Sequence, residues 1–178
     1  MPSKKKSQKL SEREKKVLEA QRDDYIARGL TTAPLPDNAE LMRLFSNVYK
    51  AWGLTGPKEV RAVNSPLELD EARKEINSEV LQISSGSLDS SMLARYQFFR
   101  KFCGIEASRD LDSLNALVGK VGPYLAFSDL VIVSANPSEV HTIDGKPHRI
   151  GGPAVSYPDR GRFALYFMWG VRFSGDMI

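Results

Sequence analysis

Glu139, His141 and His148 are the residues whose types and spacing could carry out chemistry, and the chain contains no third histidine. Two imidazoles and a carboxylate can hold zinc or another transition metal, and a neutral imidazole can act as a general base near neutral pH. Asp144-Gly145 lies midway between the histidines. That pair suits a type I′ turn, which needs positive φ at both central residues. A two-residue loop sets Ile143 opposite Lys146, Thr142 opposite Pro147 and His141 opposite His148. A four-residue loop keeps this register, and a three-residue bulged loop shifts it. Thr142 and Pro147 then form a non-hydrogen-bonded pair, so the missing N–H of Pro147 removes no bond from the hairpin and suggests an edge on its outer side. Cross-strand Cβ atoms stand about 4.5 to 5.5 Å apart, and residues two apart share a face, so Glu139 could converge with both imidazoles. The set lacks the fixed context of a known metalloenzyme motif, and two hairpin histidines equally serve hydrogen bonding or stacking. No resident metal and no cofactor are expected, with Glu139, His141 and His148 the only candidate ligands. Arg149 and Asp159 complete a candidate binding face, although turn chemistry and solvation also account for both.

The elements that must position these residues fall into two groups. Helix signals dominate to about residue 120. Ser11-Glu12-Arg13-Glu14 is a capping box opening a helix over 12 to 28, with Gly29 as its stop. Asp37 with Glu40 starts a second, whose Leu41, Leu44, Phe45, Val48 and Trp52 follow the spacing of a buried stripe. Ser65-Pro66-Leu67-Glu68 opens a third, ending near Ser78. Ser84-Ser85-Gly86-Ser87 reads as a flexible connection, followed by helices near 89 to 103 and 109 to 119. Tyr96, Phe98, Phe99 and Phe102 have the spacing of core packing. After Pro123 the pattern changes to strands. Leu130-Val131-Ile132-Val133 suits an interior strand, and Pro158-Asp159-Arg160-Gly161 turns a second hairpin. Its second strand, 163 to 169, has no polar face and is expected to be central and covered on both sides. The chain is thus expected to be α+β, with a mostly helical N-terminal two-thirds packed on a small C-terminal antiparallel β-meander.

With 178 residues and 42% hydrophobic composition, one domain with a sizeable core is expected, spanning 17 to 178, with helices to about 120 and hairpins from about 128 to 173. The single cysteine, Cys103, sits in an apolar run and reads as a packing residue in a reduced, cytoplasmic protein. Neither a signal peptide nor a membrane-spanning run is legible. Charge is uneven: residues 1–16 hold Lys4, Lys5, Lys6, Lys9, Arg13, Lys15 and Lys16 against two Glu, a local +5 that leaves −2 for the other 162 residues of a chain with formal charge +3. This basic tail, continuing into the first helix, could hold phosphates by counterion release, or serve only as a solvated terminus. It contains no aromatic residue, so stacking on bases by the tail itself is unsupported.

Two blocks of residues resemble a bacterial domain family of unknown function, found alone or beside leucine-rich repeats. One is Arg22 to Thr32, Ala39-Glu40, Tyr49, Gly53-Leu54, Pro57, Val60 and Ser65-Pro66; the other is Val133-Ser134, Pro137, Glu139, His141, Asp144-Gly145, His148, Gly152-Pro153-Ala154, Tyr157, Asp159 and Gly170-Val171. The segment around His148 to Ala154 also resembles short hairpin repeats of bacterial and phage antitoxin-like or surface modules. The chain departs from the family at Trp169, where a histidine is usual, and at Gly122 to Phe127, where a Trp-rich stretch is usual. The resemblance implies no catalytic residue, and the short chain suggests a stand-alone version from a phage or mobile element.

These features lead to an expected non-enzymatic interaction module, its hairpin face meeting a protein partner and its basic tail meeting nucleic acid or another polyanion, with no membrane partner. A small metal-dependent hydrolase or nuclease using His141 and His148 is the alternative. A structural subunit of a larger particle is a third reading.

Overall fold

The computed structural model describes residues 11–104 and 109–174, without the side chains of Leu88, Asp89, Ser91, Cys103, Arg109 and Asp110. The readings placed on Lys4, Lys5, Lys6, Lys9 and the Cys103 side chain lie outside the described residues. Five helices are described: α1 (Glu12–Gly29), α2 (Asn38–Ala51), α3 (Pro66–Lys74), α4 (Ser90–Cys103) and α5 (Arg109–Leu117). The strands are β1 (Glu59–Val63), β2 (Gln82–Ser84), β3 (Tyr124–Ala126), β4 (Leu130–Ser134), β5 (Glu139–Val140), β6 (Thr142–Ile143), β7 (Lys146–Pro147), β8 (Val155–Ser156), β9 (Ala164–Met168) and β10 (Val171–Phe173). The chain is α+β, with its helices toward the N-terminus and most of its strands toward the C-terminus. No helix among the described residues is long and apolar enough to cross a membrane.

The first three helices start where their sequence signals lie. The Ser11 hydroxyl accepts from the Glu14 N–H while Glu14 reaches back to the Ser11 N–H, so two otherwise unpaired donors are met. Asp37 caps α2 through the Glu40 N–H, and Ser65 caps α3, with Pro66 in its first turn, through the Glu68 N–H. Of the apolar stripe of α2, Leu41, Leu44, Phe45 and Val48 lie in the core together with Tyr49, whereas Trp52, at the C-cap, is half-buried against it.

Two strands arise inside the helical region, which the periodicity does not reveal. Glu59–Val63 pairs in parallel with β4, and Gln82–Ser84 pairs antiparallel with β3, giving a sheet of order β1-β4-β3-β2. In β1 only Val60 is buried, so this edge strand carries no strong apolar pattern. The connection expected to be flexible is instead the end of β2 and a 3-10 turn at Gly86–Asp89. Ser87 anchors it: its hydroxyl donates to the Val121 carbonyl at 2.7 Å and accepts from the Gly119 N–H at 3.0 Å.

Helical cover lies on this sheet and not on the C-terminal hairpins. Val131 and Val133 of β4 face α2 with Tyr124 and Ala126, whereas Ile132 faces α3 with Leu125 and Phe127. The Phe45 and Tyr124 rings meet edge to face at 5.0 Å. The Tyr49 hydroxyl donates to the Phe127 carbonyl, and burial pushes its pKa up to about 12. A second sheet, order β10-β9-β8-β5, and the β6–β7 hairpin complete the fold. The expected double cover of residues 163 to 169 is therefore corrected: β9 is interior only in its hydrogen bonding, and its side chains are half-buried or exposed. A strand without a polar face can also arise where a small sheet leaves both faces partly open.

Gly86 has φ +60, and a Cβ there would lie 1.9 Å from the Gly122 carbonyl oxygen, whereas Gly53 has φ +75 and open space around it. Gly53→Ala is expected to cost only the left-handed penalty of about 1 to 2 kcal/mol. Gly86→Ala should cost more, because two backbone segments must separate. Urea unfolding of the two variants beside the wild type checks this difference.

Candidate functional site

The hairpin holding the histidines forms in the expected register. Asp144 and Gly145 have φ of 51° and 71°, Thr142 pairs with Pro147, and the His148 N–H donates to the His141 carbonyl at 2.9 Å. Its outer side is not an open edge as Pro147 suggested. The Gly170 N–H donates to the Pro147 carbonyl at 2.9 Å and the Arg149 N–H donates to the Phe167 carbonyl at 3.1 Å. The bare proline nitrogen thus faces the β9–β10 turn without leaving an orphan donor.

Although the two backbones are opposed, the imidazoles turn to different partners. His141 Nε2 lies 2.9 Å from Arg149 Nη1 and 3.4 Å from Glu139 Oε2, and Arg149 Nη1 is 3.8 Å from the same carboxylate. One ring nitrogen cannot accept from the guanidinium and donate to the carboxylate at once. The shorter contact, from a side chain that is always a donor, makes Nε2 the acceptor and puts the neutral ring's proton on Nδ1. Glu139, His141 and Arg149 thus form a partly exposed cluster whose charges are met internally.

His148 is 7% exposed and serves a different purpose. Its Nδ1 accepts from the Trp169 N–H at 3.0 Å, which requires the proton on Nε2, and its ring packs on the Trp169 indole at 4.7 Å. Trp169 and Gly170 turn β9 into β10 with φ of 53° and 80°. A left-handed tryptophan costs about 1 kcal/mol, which the His148 contact offsets. The indole remains 57% exposed. Asp159 is 3% exposed, and neither carboxylate oxygen has a hydrogen-bond partner among the described residues. Of the five residues assigned to one face, Glu139, His141 and Arg149 come together, while His148 and Asp159 are buried and not displayed with them. Among the described residues, no group of three or more His, Cys, Asp or Glu is gathered as metal ligands.

A second candidate surface comes from α1 and α4. Gly29 lies against Ser90, Tyr25 packs with Leu93, and Leu18, Gln21 and Arg22 face Ala94, Arg95, Phe98 and Phe99 across a groove of about 260 Å³. Positions advancing on one helix meet positions retreating on the other, so the helices are antiparallel. α1 is held there by Arg28, whose Nη2 donates to the Asn115 carbonyl at 2.6 Å and the Val118 carbonyl at 3.0 Å, at the C-terminal end of α5. The start of α1, with Arg13, Lys15 and Lys16 exposed, therefore runs toward the end of α4. α4 carries Arg95, Arg100 and Lys101, all exposed, and no Asp or Glu. Arg100 Nη1 donates to Asp112 Oδ1 of α5 at 2.8 Å, an exposed pair.

The aromatic residues of α4 depart from the expected core role. Tyr96 and Phe99 are 46% and 45% exposed, and Phe98 and Phe102 are half-buried. Their spacing is helical, but the stripe is wider than α1 and α5 together cover. The acid-free run Ser90–Cys103, with aromatics between cations, was the legible signal for this surface. The Trp169-Gly170 pair between apolar runs was the corresponding signal at the hairpin end. No protein-family model, curated protein or solved structure matches this chain.

The two histidines are expected to hold opposite neutral tautomers, His141 protonated on Nδ1 and His148 on Nε2. Long-range proton–nitrogen correlation spectra above the imidazole titration range check the assignment; finding the same tautomer at both would contradict the geometry.

Proposed function

We propose that the chain is a non-enzymatic binding module that holds a polyanion, nucleic acid above all, on the arm formed by α1 and α4. The observation that carries this reading is the antiparallel packing that runs the basic start of α1 alongside an acid-free, basic α4. Residues 1–16 and 90–103 together carry ten Lys or Arg against two Glu, a local +8 in a chain of formal charge +3. The remainder is therefore at −5. Separation of this kind steers an anionic partner to one end of the molecule and makes binding depend steeply on salt. Of the acids farther along α1, Asp23 pairs with Arg22 and Asp24 with Arg28, and exposed Glu19 subtracts one charge from this end. A cytoplasmic location with a reduced Cys103 belongs to the same reading.

A protein contact at the hairpin end is the second reading, favoured by exposed Trp169, Ile150 and Val171 there. Aromatic side chains held rigidly at a turn are effective interface anchors. The resembled bacterial and phage domains, and the structural-subunit reading, fit this contact. The hydrolase alternative gains no support from His148, whose Nδ1 is taken up by the Trp169 N–H.

Neutralising charge in the full chain is the suitable test, because deleting residues 1–16 would also remove the Ser11–Glu14 cap of α1. Two variants are compared with the wild type: Lys4, Lys5, Lys6 and Lys9→Gln, and Arg95, Arg100 and Lys101→Gln. Fluorescence anisotropy with labelled oligothymidylate across a salt series should give tight binding at low salt. Each variant should weaken it and flatten the log–log salt slope by about 0.7 for every cation that no longer neutralises a phosphate. Binding that ignores both variants, or no binding at low salt, would contradict the proposal.

A further inference from the structure

We infer that the arm selects single-stranded nucleic acid, by stacking bases on Phe99, which lines the α1–α4 groove, and on Tyr96, exposed one turn before it on α4. This rests on the polyanion reading and adds what that reading leaves open, the form of the nucleic acid. Counterion release is blind to strandedness and sequence; base stacking is not, because a duplex already buries the faces of its bases.

Three observations converge on the groove. Leu18, Ala94, Phe98 and Phe99 supply apolar walls, and Gln21, Arg22 and Arg95 supply polar and cationic groups. Its volume of about 260 Å³ exceeds the roughly 150 Å³ in which a buried apolar cavity already takes a benzene ring. The aromatic residues beside it are neither isolated nor core. Phe98 meets Phe99 edge to face at 5.6 Å and Phe102 at 5.1 Å, so one half-buried ring braces two neighbours. Phe99 and Tyr96 are left with nearly half their surface in water on a helix whose charges are all positive.

Charge decides the occupant. An apolar groove alone would suit a partner helix equally well, but this one is lined by Arg22 and Arg95, lies on a helix that also carries exposed Lys101, and is approached by the basic start of α1. Lys101 Nζ sits 5.8 Å above the Phe102 ring, so ring and cation are presented together. A single strand offers a phosphate for the cations and a flat base for the rings at every step. The sequence contains no such combination within residues 1–16. The tertiary pairing of α1 with α4 supplies the missing aromatics.

The test uses the full chain and three labelled probes of equal length: oligothymidylate, an abasic oligomer that keeps the phosphates, and a duplex. The wild type should prefer oligothymidylate to the abasic strand by about tenfold for each stacked base. Tyr96→Ala with Phe99→Ala should abolish that preference and leave the salt slope unchanged, since no charge is altered. Tyr96→Phe with Phe99→Tyr should retain it, and because these side chains are exposed, circular dichroism should show both variants folded. Equal binding of abasic and thymidylate strands, or a preference that survives the alanine pair, would overturn the stacking inference while salt-dependent binding of all three probes kept the polyanion reading. Binding of none at low salt would overturn both.

Discussion

The burial of β4 between two helical layers is the constraint on which the rest of the structure depends. Val131, Ile132 and Val133 are fully buried, and each stabilises the fold by about 2 kcal/mol. Because side chains alternate along a strand, one short segment serves two cores, the larger against α2 and the smaller against α3. A strand buried on both faces must also have its backbone paired on both sides, since an orphaned amide there has no water to turn to. β3 supplies one side and β1 the other. The parallel pairing of β1 with β4 follows from that need, although β1 itself is largely exposed and has little apolar character.

The elements outside this layer are attached by directed polar contacts and by a small apolar cluster of Tyr25, Leu93 and Val118. The 3-10 turn before α4 is pinned by Ser87 to the Val121 carbonyl, and α1 is pinned by Arg28 and by the Tyr25 hydroxyl to the end of α5. These contacts fix the position of the α1–α4 arm, whose outer surface, with Tyr96 and Phe99, is left exposed among the described residues. The C-terminal hairpins follow the same pattern with less cover. His148 is buried to hold a turn, and the exposed Trp169 is the residue that this turn displays.

Charge and aromatic surface are thus concentrated at two places on the molecule. The hairpin cluster of Glu139, His141 and Arg149 cancels its own charges and contributes little long-range field. The α1–α4 arm cancels less of its charge: of the three cations of acid-free α4, Arg100 pairs with Asp112 of α5, while no ion pair is formed by Arg95 or Lys101 among the described residues.

The sequence by itself determined the features that depend on neighbours along the chain. The caps at Ser11, Asp37 and Ser65, the buried stripe of α2 and the Asp144-Gly145 turn with its register are all local, because a cap or a two-residue turn is satisfied within a few residues. The site was legible only to the level of the backbone: His141 does stand opposite His148. Which way each imidazole points was decided by Arg149 and Trp169, and the second arrives from a different hairpin. Strands β1 and β2 escaped the pattern for a related reason, as edge strands owe their existence to the interior strand they pair with. The exposure of Tyr96 and Phe99 likewise depended on how much of α4 its partners α1 and α5 could cover. Periodicity identifies a face, but only packing decides whether another element occupies it.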